Sequence, residues 1–276
     1  MTLAQILGPT TRSIILHGSL TAGGFRPGRS DIDLLAVVDN PLTDTQIKDL
    51  TSLVRDSEPD FWAKLDLGPY ARPGQASAAR LDLAPDARPD SDSAAGLDLS
   101  SVAGFALDSA AGLDLSSVAG FALDSAAGLD LHVVTTEVAR FPTPDPPVEL
   151  YLGRHTHDWE ISPRVPHDPD VVAELSMARA DGRALTGAAP TDILAPVPPE
   201  WVISRGRHWL RTWQSLTDDV EHLTFMRETA YRIWHFAIDG RHSSKPAAMA
   251  WAHARDPSLA HADLARVLAT VLHETA

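Results

Sequence analysis

The sequence predicts a mixed α/β (α+β) domain followed by an all-α helical bundle. Three observations predict it. Two apolar runs of strand length, Ser13 to His17 and Asp31 to Val38, lie close together near the N-terminus, with a helix-like segment after the second. A proline-rich stretch at Pro142, Pro144, Pro146 and Pro147 reads as a linker. Beyond residue 170 the apolar residues recur at helical spacing to the end of the chain.

Each element has its own signals. The run SIILH ends at Gly18-Ser19, a strand with a turn after it. In DIDLLAVV, Ile32, Leu34, Ala36 and Val38 point to one face and Leu35 and Val37 to the other, so this strand is covered on both sides. Asn40-Pro41 ends it, and Thr43 caps a helix to about Ser57 with Ile47, Leu50 and Val54 on one side. Leu129 to Thr135 is a third strand. Helical periodicity covers 171–185, 200–216, 221–238, 246–254 and 259–274, with Gly240 as a C-cap and prolines 196, 198 and 199 before the second of these. The expected division is a first domain over 1–140 and a helical domain over 141–276.

Inside the first domain lies an insert at about 60–125. Residues 93–108 read SAAGLDLSSVAGFALD, residues 109–124 repeat this without a change, and 125–131 begin a third copy. Two full copies are too few to stack into an independent core, so a duplication inside a tolerant loop is expected rather than a solenoid. Between 56 and 130 there are 13 acidic and four basic residues, so most of the net charge of -14 falls in and around the insert.

Composition excludes several function classes. With 276 residues, 44% of them hydrophobic, there is enough material for one large or two small cores. The absence of cysteine excludes a disulfide scaffold, a thiolate metal site and a cysteine nucleophile. An acidic chain without a basic stripe argues against nucleic acid as partner. No run of 18 apolar residues supports a membrane partner, and Met1 to Pro9 has no signal-peptide pattern, so a cytoplasmic location is expected. Only three of the 23 basic residues are lysines, Lys48, Lys64 and Lys245, which makes each of them informative. The oligomeric state is not legible.

The chemistry concentrates at Gly18-Ser19 and, after 11 intervening residues, at Asp31-Ile32-Asp33. Residues i and i+2 of a strand share a face, so Asp31 and Asp33 project side by side from an otherwise apolar strand. Like charges that close raise each other's pKa unless a cation relieves them. Mg²⁺ ions do that, and also clamp the oxygens of an in-line phosphoryl transfer. Gly18 lets a phosphate approach the backbone and Ser19 offers a hydroxyl. The alternative is an exposed strand-start pair with no metal. Asp130, at the head of the third strand, is the expected third carboxylate, as metal ligand and as base. Asp98 and Asp114 share its GLDL context, but no core strand follows them; Asp66 and Asp82 are similar decoys.

HGSLTAGGFRPGRSDIDLLAVV resembles the nucleotidyltransferase motif of the DNA polymerase β-like superfamily. More narrowly, the chain is similar to the streptomycin/spectinomycin (aminoglycoside) adenylyltransferases. The similarity resumes at LDLHVVTTEV and VELYLGR, then runs through DPDVVAELSMARADGRALTGAAPTDILAPVP and YRIWHFAIDGRHSSKPAAMAWA. It implies a polymerase β-like nucleotidyltransferase domain and a helical domain with ATP, Mg²⁺ and the antibiotic between them. It implies that Asp31 and Asp33 bind metal, that Asp130 stands where the family usually has a glutamate base, and that Arg232 and Lys245 hold the triphosphate.

The residues themselves say less about the last two. Lys245 follows Ser243-Ser244 and precedes Pro246, a helix start where free N–H groups and a lysine converge on an anion, or else it is a surface lysine. Arg232, read alone, fits an i,i+4 pair with Glu228 better than a phosphate contact. Two positions depart from the family. Streptomycin-modifying relatives place a tryptophan at His155 and an aspartate at His222. An aromatic platform and an anionic partner are both missing there, unless Asp218, Asp219 or Glu221 supplies the charge. His155 and His222 are therefore weak substrate-binding candidates, and a spectinomycin-like aminocyclitol is favoured over streptomycin. His155-x-His157 lacks a third metal ligand nearby. Trp201, Trp209, Trp213 and Trp234 fit helical packing better than a base-stacking platform.

The expected function is Mg²⁺-dependent transfer of AMP from ATP to a hydroxyl of an aminoglycoside or aminocyclitol antibiotic. The alternatives are a nucleotidyltransferase acting on a protein or another metabolite, and a nucleotide-binding relative that has lost catalysis.

Overall fold

The computed structural model describes residues 2–26, 28–55, 128–155 and 158–276. The acidic insert, its repeats and the aspartates within them lie outside the described residues.

The first helix, α1 (Leu3–Leu7), is closed by a capping box between Thr2 and Gln5. It leads into β1 (Thr11–His17), and a four-residue helix α2 (Gly18–Thr21) stands where a simple turn was expected. The chain continues through β2 (Ile32–Val38), α3 (Asp44–Arg55), β3 (Gly128–Thr135) and α4 (Thr136–Arg140). Thr43 caps α3 as expected, its hydroxyl accepting from the Gln46 amide at 3.2 Å.

The strands do not stop at the proline-rich stretch. β4 (Val148–His155), β5 (Asp158–Val165) and β6 (Arg183–Gly187) join the same six-stranded sheet, in the order β5-β4-β3-β2-β1-β6. The sheet is antiparallel except for the β2–β3 pair. Residue 140 is therefore not an edge of the sheet. The helix expected over 171–185 is α5 (Val171–Asp181), cut short at Gly182 so that Arg183–Gly187 can pair with β1. A side chain at 182 would press on the Ala178 carbonyl and on Ile15, which fixes the close passage there.

The two-sided reading of β2 holds residue by residue. Ile32, Leu34, Ala36 and Val38 pack into a core with α1 and α3, and Leu35 and Val37 into a second core with α4, α5 and α6 (Pro190–Ile193). The later helices are α7 (Pro199–Trp213), α8 (Leu223–Asp239), α9 (Lys245–Arg255) and α10 (Leu264–Glu274), the last preceded by a 3₁₀ turn at Pro257–His261. They enclose a third core around Tyr231 and Trp234, both fully buried. Gly240 ends α8 in the left-handed conformation. Residue 259 lies in the 3₁₀ turn, and the last helix starts later than expected because Asp263 caps it.

Candidate active site

Register builds the site. β1, β2 and β3 align His17 with Asp33 and Asp33 with Asp130, so these three form one row across the sheet. Their alternate neighbours, Leu16, Leu34 and Leu131, fill the α1/α3 core, so the row projects to the opposite face, toward α5. Asp31 stands one pleat earlier on the same face.

Two glycines make room for the carboxylates. Gly18 has φ 70, and a Cβ there would sit 1.8 Å from Asp33 Oδ2. The Ser19 amide donates to that same oxygen at 3.3 Å. At Gly128 a Cβ would lie 2.4 Å from Asp31 Oδ1, so the third copy of SAAGLDL supplies both Asp130 and the space for Asp31. The sequence reading passed over Gly128 because a GLDL run occurs three times and nothing in the string marks one glycine as crowded.

Electrostatics follow from the crowding. Burial first, and then Asp130 and Asp31, push the Asp33 carboxyl up to about 7, with the Ser19 N–H opposing them. Asp130 accepts a hydrogen bond from the Tyr151 hydroxyl at 3.0 Å; burial and the Asp130 charge raise the phenol. Burial lowers His17 to about 3 and His132 to about 4, so both imidazoles are neutral at physiological pH. Among the described residues neither ring nitrogen of His17 has a hydrogen-bond partner.

The row opens into a cleft of about 480 Å³ between the sheet and the later helices. Gly18, Ser19, Asp31, Asp33, Asp130, Arg232 and Lys245 all line it, so seven of the nine expected site residues come together. Arg232 does not pair with Glu228. That carboxylate is held instead by Arg26, at 2.9 Å, which ties the loop after α2 to α8. The Arg232 guanidinium reaches Met177 in the cleft wall. Lys245 occupies the first turn of α9, after the capping Ser244, with its ammonium 5.0 Å over the Phe225 ring. Burial and Arg232 lower its pKa. The hydroxyls of Ser19, Thr229 and Ser243 line the same cleft without a hydrogen-bond partner among the described residues.

Of the two weak substrate-binding candidates, only the side chain of His222 is described. His222 precedes α8 on the exposed side, bonded to Asp219 at 2.9 Å, and does not line the cleft; that pairing also occupies Asp219. His155 closes β4, opposite Gly128, through its backbone; its partner in the His-x-His pattern, His157, lies outside the described residues. The tryptophans divide. Trp234 packs in the helical core, whereas Trp209 and Trp213 reach the cleft wall, stacked with centroids 5.9 Å apart.

Helix α5 brings groups the sequence reading missed. Asp170 accepts from Arg205 Nε and Nη2 and from Trp209 Nε1, each at 2.7 Å. Glu174, one turn on, faces the same cleft. In total Asp31, Asp33, Asp130, Asp170, Glu174 and Asp181 oppose Arg205, Arg232 and Lys245, so the lining is negative by three formal charges. Among the described residues no three carboxylate or imidazole groups converge into a ready-made metal cage.

Comparison with known proteins agrees with this arrangement. Residues 3–79 match the model of the nucleotidyltransferase domain. An aminoglycoside (3'')(9) adenylyltransferase of Rhizobium radiobacter is 33% identical over 91 residues. Over its N-terminal part the chain is thus similar to the aminoglycoside adenylyltransferases. The aligned stretch covers 33% of this chain and 34% of that relative, about a third of the family member's length. The fold similarity reaches further. The spectinomycin adenyltransferase AAD(9) of Enterococcus faecialis, solved with ATP and spectinomycin, superposes with a TM-score of 0.53 over 99% of this chain and 94% of its own, at 13% identity.

Proposed function

We propose that this chain transfers AMP from ATP to a hydroxyl of a small cationic aminocyclitol, spectinomycin-like rather than streptomycin-like. The observation that carries the reading is the polarity of the cleft: Asp31, Asp33 and Asp130 on the sheet, Arg232 and Lys245 on the helices opposite. A nucleoside triphosphate placed between them has its phosphates near the two cations and its α-phosphorus near the carboxylates.

Mg²⁺ fits the residues present. Asp33 is held at about 7 because burial and its carboxylate neighbours outweigh the Ser19 N–H and Arg232, and a hard divalent cation is the group that would relieve the remainder. The lack of a closed cage suits an ion that takes part of its coordination from substrate phosphates. Asp31 and Asp33 would hold it, and it would supply charge neutralisation at the transferring phosphate.

The chain's own groups account for the rest. Asp130, oriented by Tyr151, takes the proton of the acceptor hydroxyl as that oxygen bonds to the α-phosphorus and the bond to pyrophosphate breaks. The Ser19 hydroxyl, Arg232 and Lys245 receive the departing pyrophosphate. In this reading the sheet carries the chemistry, and the helices from Pro199 onward hold the nucleotide.

The preference for spectinomycin rests on two supports. His222 stands away from the cleft, and the structural neighbour AAD(9) was solved with spectinomycin. The test is incubation with ATP and Mg²⁺ across a panel containing spectinomycin, streptomycin and other aminocyclitols, read by mass. The expected result is an AMP adduct on spectinomycin and none on streptomycin. Absence of any adduct across the panel overturns the reading.

A further inference from the structure

Helix α5 presents Asp170, Glu174, Met177 and Asp181 to the cleft, a spacing that defines one helical face. Its first two acids are in opposite situations. Asp170 accepts two bonds from Arg205 and one from Trp209. Burial alone would raise its carboxyl, but those donors hold it below the ordinary range. Its charge is thus compensated by Arg205 before any cationic ligand arrives.

Glu174 accepts no hydrogen bond among the described residues. The group aimed at it is Nδ1 of His17, at 3.5 Å, from a ring that is wholly buried and itself unpartnered. Burial keeps that imidazole neutral, so it brings no compensating charge. About a quarter of the Glu174 side chain remains open to the cleft. Burial, Asp33 and Asp130 push its carboxyl well above the ordinary glutamate range, and Arg232 pulls the other way. Once Arg232 turns to the triphosphate, Glu174 is an acid without a cation in a cleft that already carries excess negative charge.

We propose that Glu174 recognises the acceptor, pairing with an ammonium group carried beside the hydroxyl that receives AMP. The inference rests on the adenylyl-transfer reading and narrows it, because it fixes the acceptor class as a small polyhydroxylated amine. A neutral sugar leaves Glu174 desolvated and unpaired, which is the stronger part of the discrimination. The neutral His17 behind the carboxylate suits the role, since a charged partner would satisfy Glu174 before any ligand arrived.

The experiment is calorimetric titration of spectinomycin, without ATP, into the full-length wild type and Glu174→Gln. Loss of one charge-assisted contact should weaken binding by about 10- to 100-fold. Titration of ATP into the same variant should show affinity equal to or above wild type, because a carboxylate facing the phosphates is gone. Equal spectinomycin affinity in both proteins overturns the inference. Gln is isosteric and removes a repelled charge, so the variant should fold. If it does not, Glu174→Asp, which keeps the charge but withdraws it by one methylene, should still lose several-fold affinity, and unchanged affinity overturns the inference equally. The two readings fail separately. Glu174-dependent binding without any AMP adduct defeats transfer alone, whereas adduct formation by Glu174→Gln with an unchanged KM for spectinomycin defeats recognition alone.

Discussion

At the scale of single residues, the site is defined by how little Asp33 is compensated. Gly18 leaves room for its carboxylate and the Ser19 amide gives it a single long hydrogen bond on one side, while Asp130 stands in register on the other. A carboxyl raised to about 7 destabilises the fold wherever it is ionised, so its contribution worsens as pH rises from the unfolded value near 3.8 toward 7. Asp33→Asn should therefore abolish AMP transfer while stabilising the metal-free protein at pH 8, by on the order of 1–3 kcal/mol. Chemical denaturation in the presence of a chelator checks the sign. A variant that keeps near-normal turnover would remove Asp33 from the chemistry.

At the scale of elements, α9 is the clearest case of placement by local sequence. Ser244 caps it, Pro246 occupies its first turn, and Lys245 is delivered to the end where unpaired N–H groups and the dipole favour an anion. Lys245→Ala should weaken ATP binding by about 1.5–3 kcal/mol, roughly 10- to 100-fold, with spectinomycin binding in the absence of ATP little changed. Separate titrations of the two ligands test this. The same comparison of elements shows what the string revealed. The alternation in β2 and the cap at Thr43 are local patterns, and both were legible. β4 and β5 were not, because the prolines before them read as a linker and their pairing is fixed only by the distant β3. Arg183–Gly187 was absorbed into the preceding helical period, since only contact with β1 separates the two. Among site residues, Asp31, Asp33 and Lys245 announced themselves by motif. Glu174 did not, because 171–185 was legible only as helical periodicity; the helix buries Val171, Val172, Leu175 and Ala178, and an acid among them carries no motif.

At the scale of the whole molecule, titratable groups are buried in opposite senses. His17, His132 and His242 are held neutral, at about 3, 4 and 4, chiefly by burial, whereas Asp33 and Glu174 are raised. For each histidine the unfolded chain takes up a proton near pH 6.5 and the folded chain does not, so stability present above that value is lost as pH falls toward 4. The two acids gain stability over part of the same window, which flattens the total curve. A difference measurement isolates the effect. The stability advantage of wild type over His132→Asn should shrink by up to about 1.4 kcal/mol per pH unit between 6.5 and 4. Denaturant melts of both proteins at pH 7, 6 and 5 read it, and a constant difference would mean that His132 is charged in the fold.

The parallel pairing of β2 with β3 carries a kinetic consequence. Every other neighbouring pair is antiparallel, and β2–β3 is joined through α3 and the repeat-bearing insert, the longest connection between strands consecutive in the chain. Contacts closed across a long detour repay their entropy late, so Asp33 and Asp130 should meet after the helices have condensed. Tryptophans 201, 209, 213, 234 and 251 report on that helical half. On dilution from denaturant their fluorescence should therefore recover before the ability to form product. Removing 93–124 joins Asp92 directly to Ser125 and leaves the SAAGLDLHVV strand entrance intact. The excision should change closure free energy by less than roughly 0.6 kcal/mol. The shortened chain should thus reach the same native state and keep the same order of recovery, its lag only slightly reduced. The duplication would then be a passenger on a late step of assembly, tolerated because the chain to be closed there was already long.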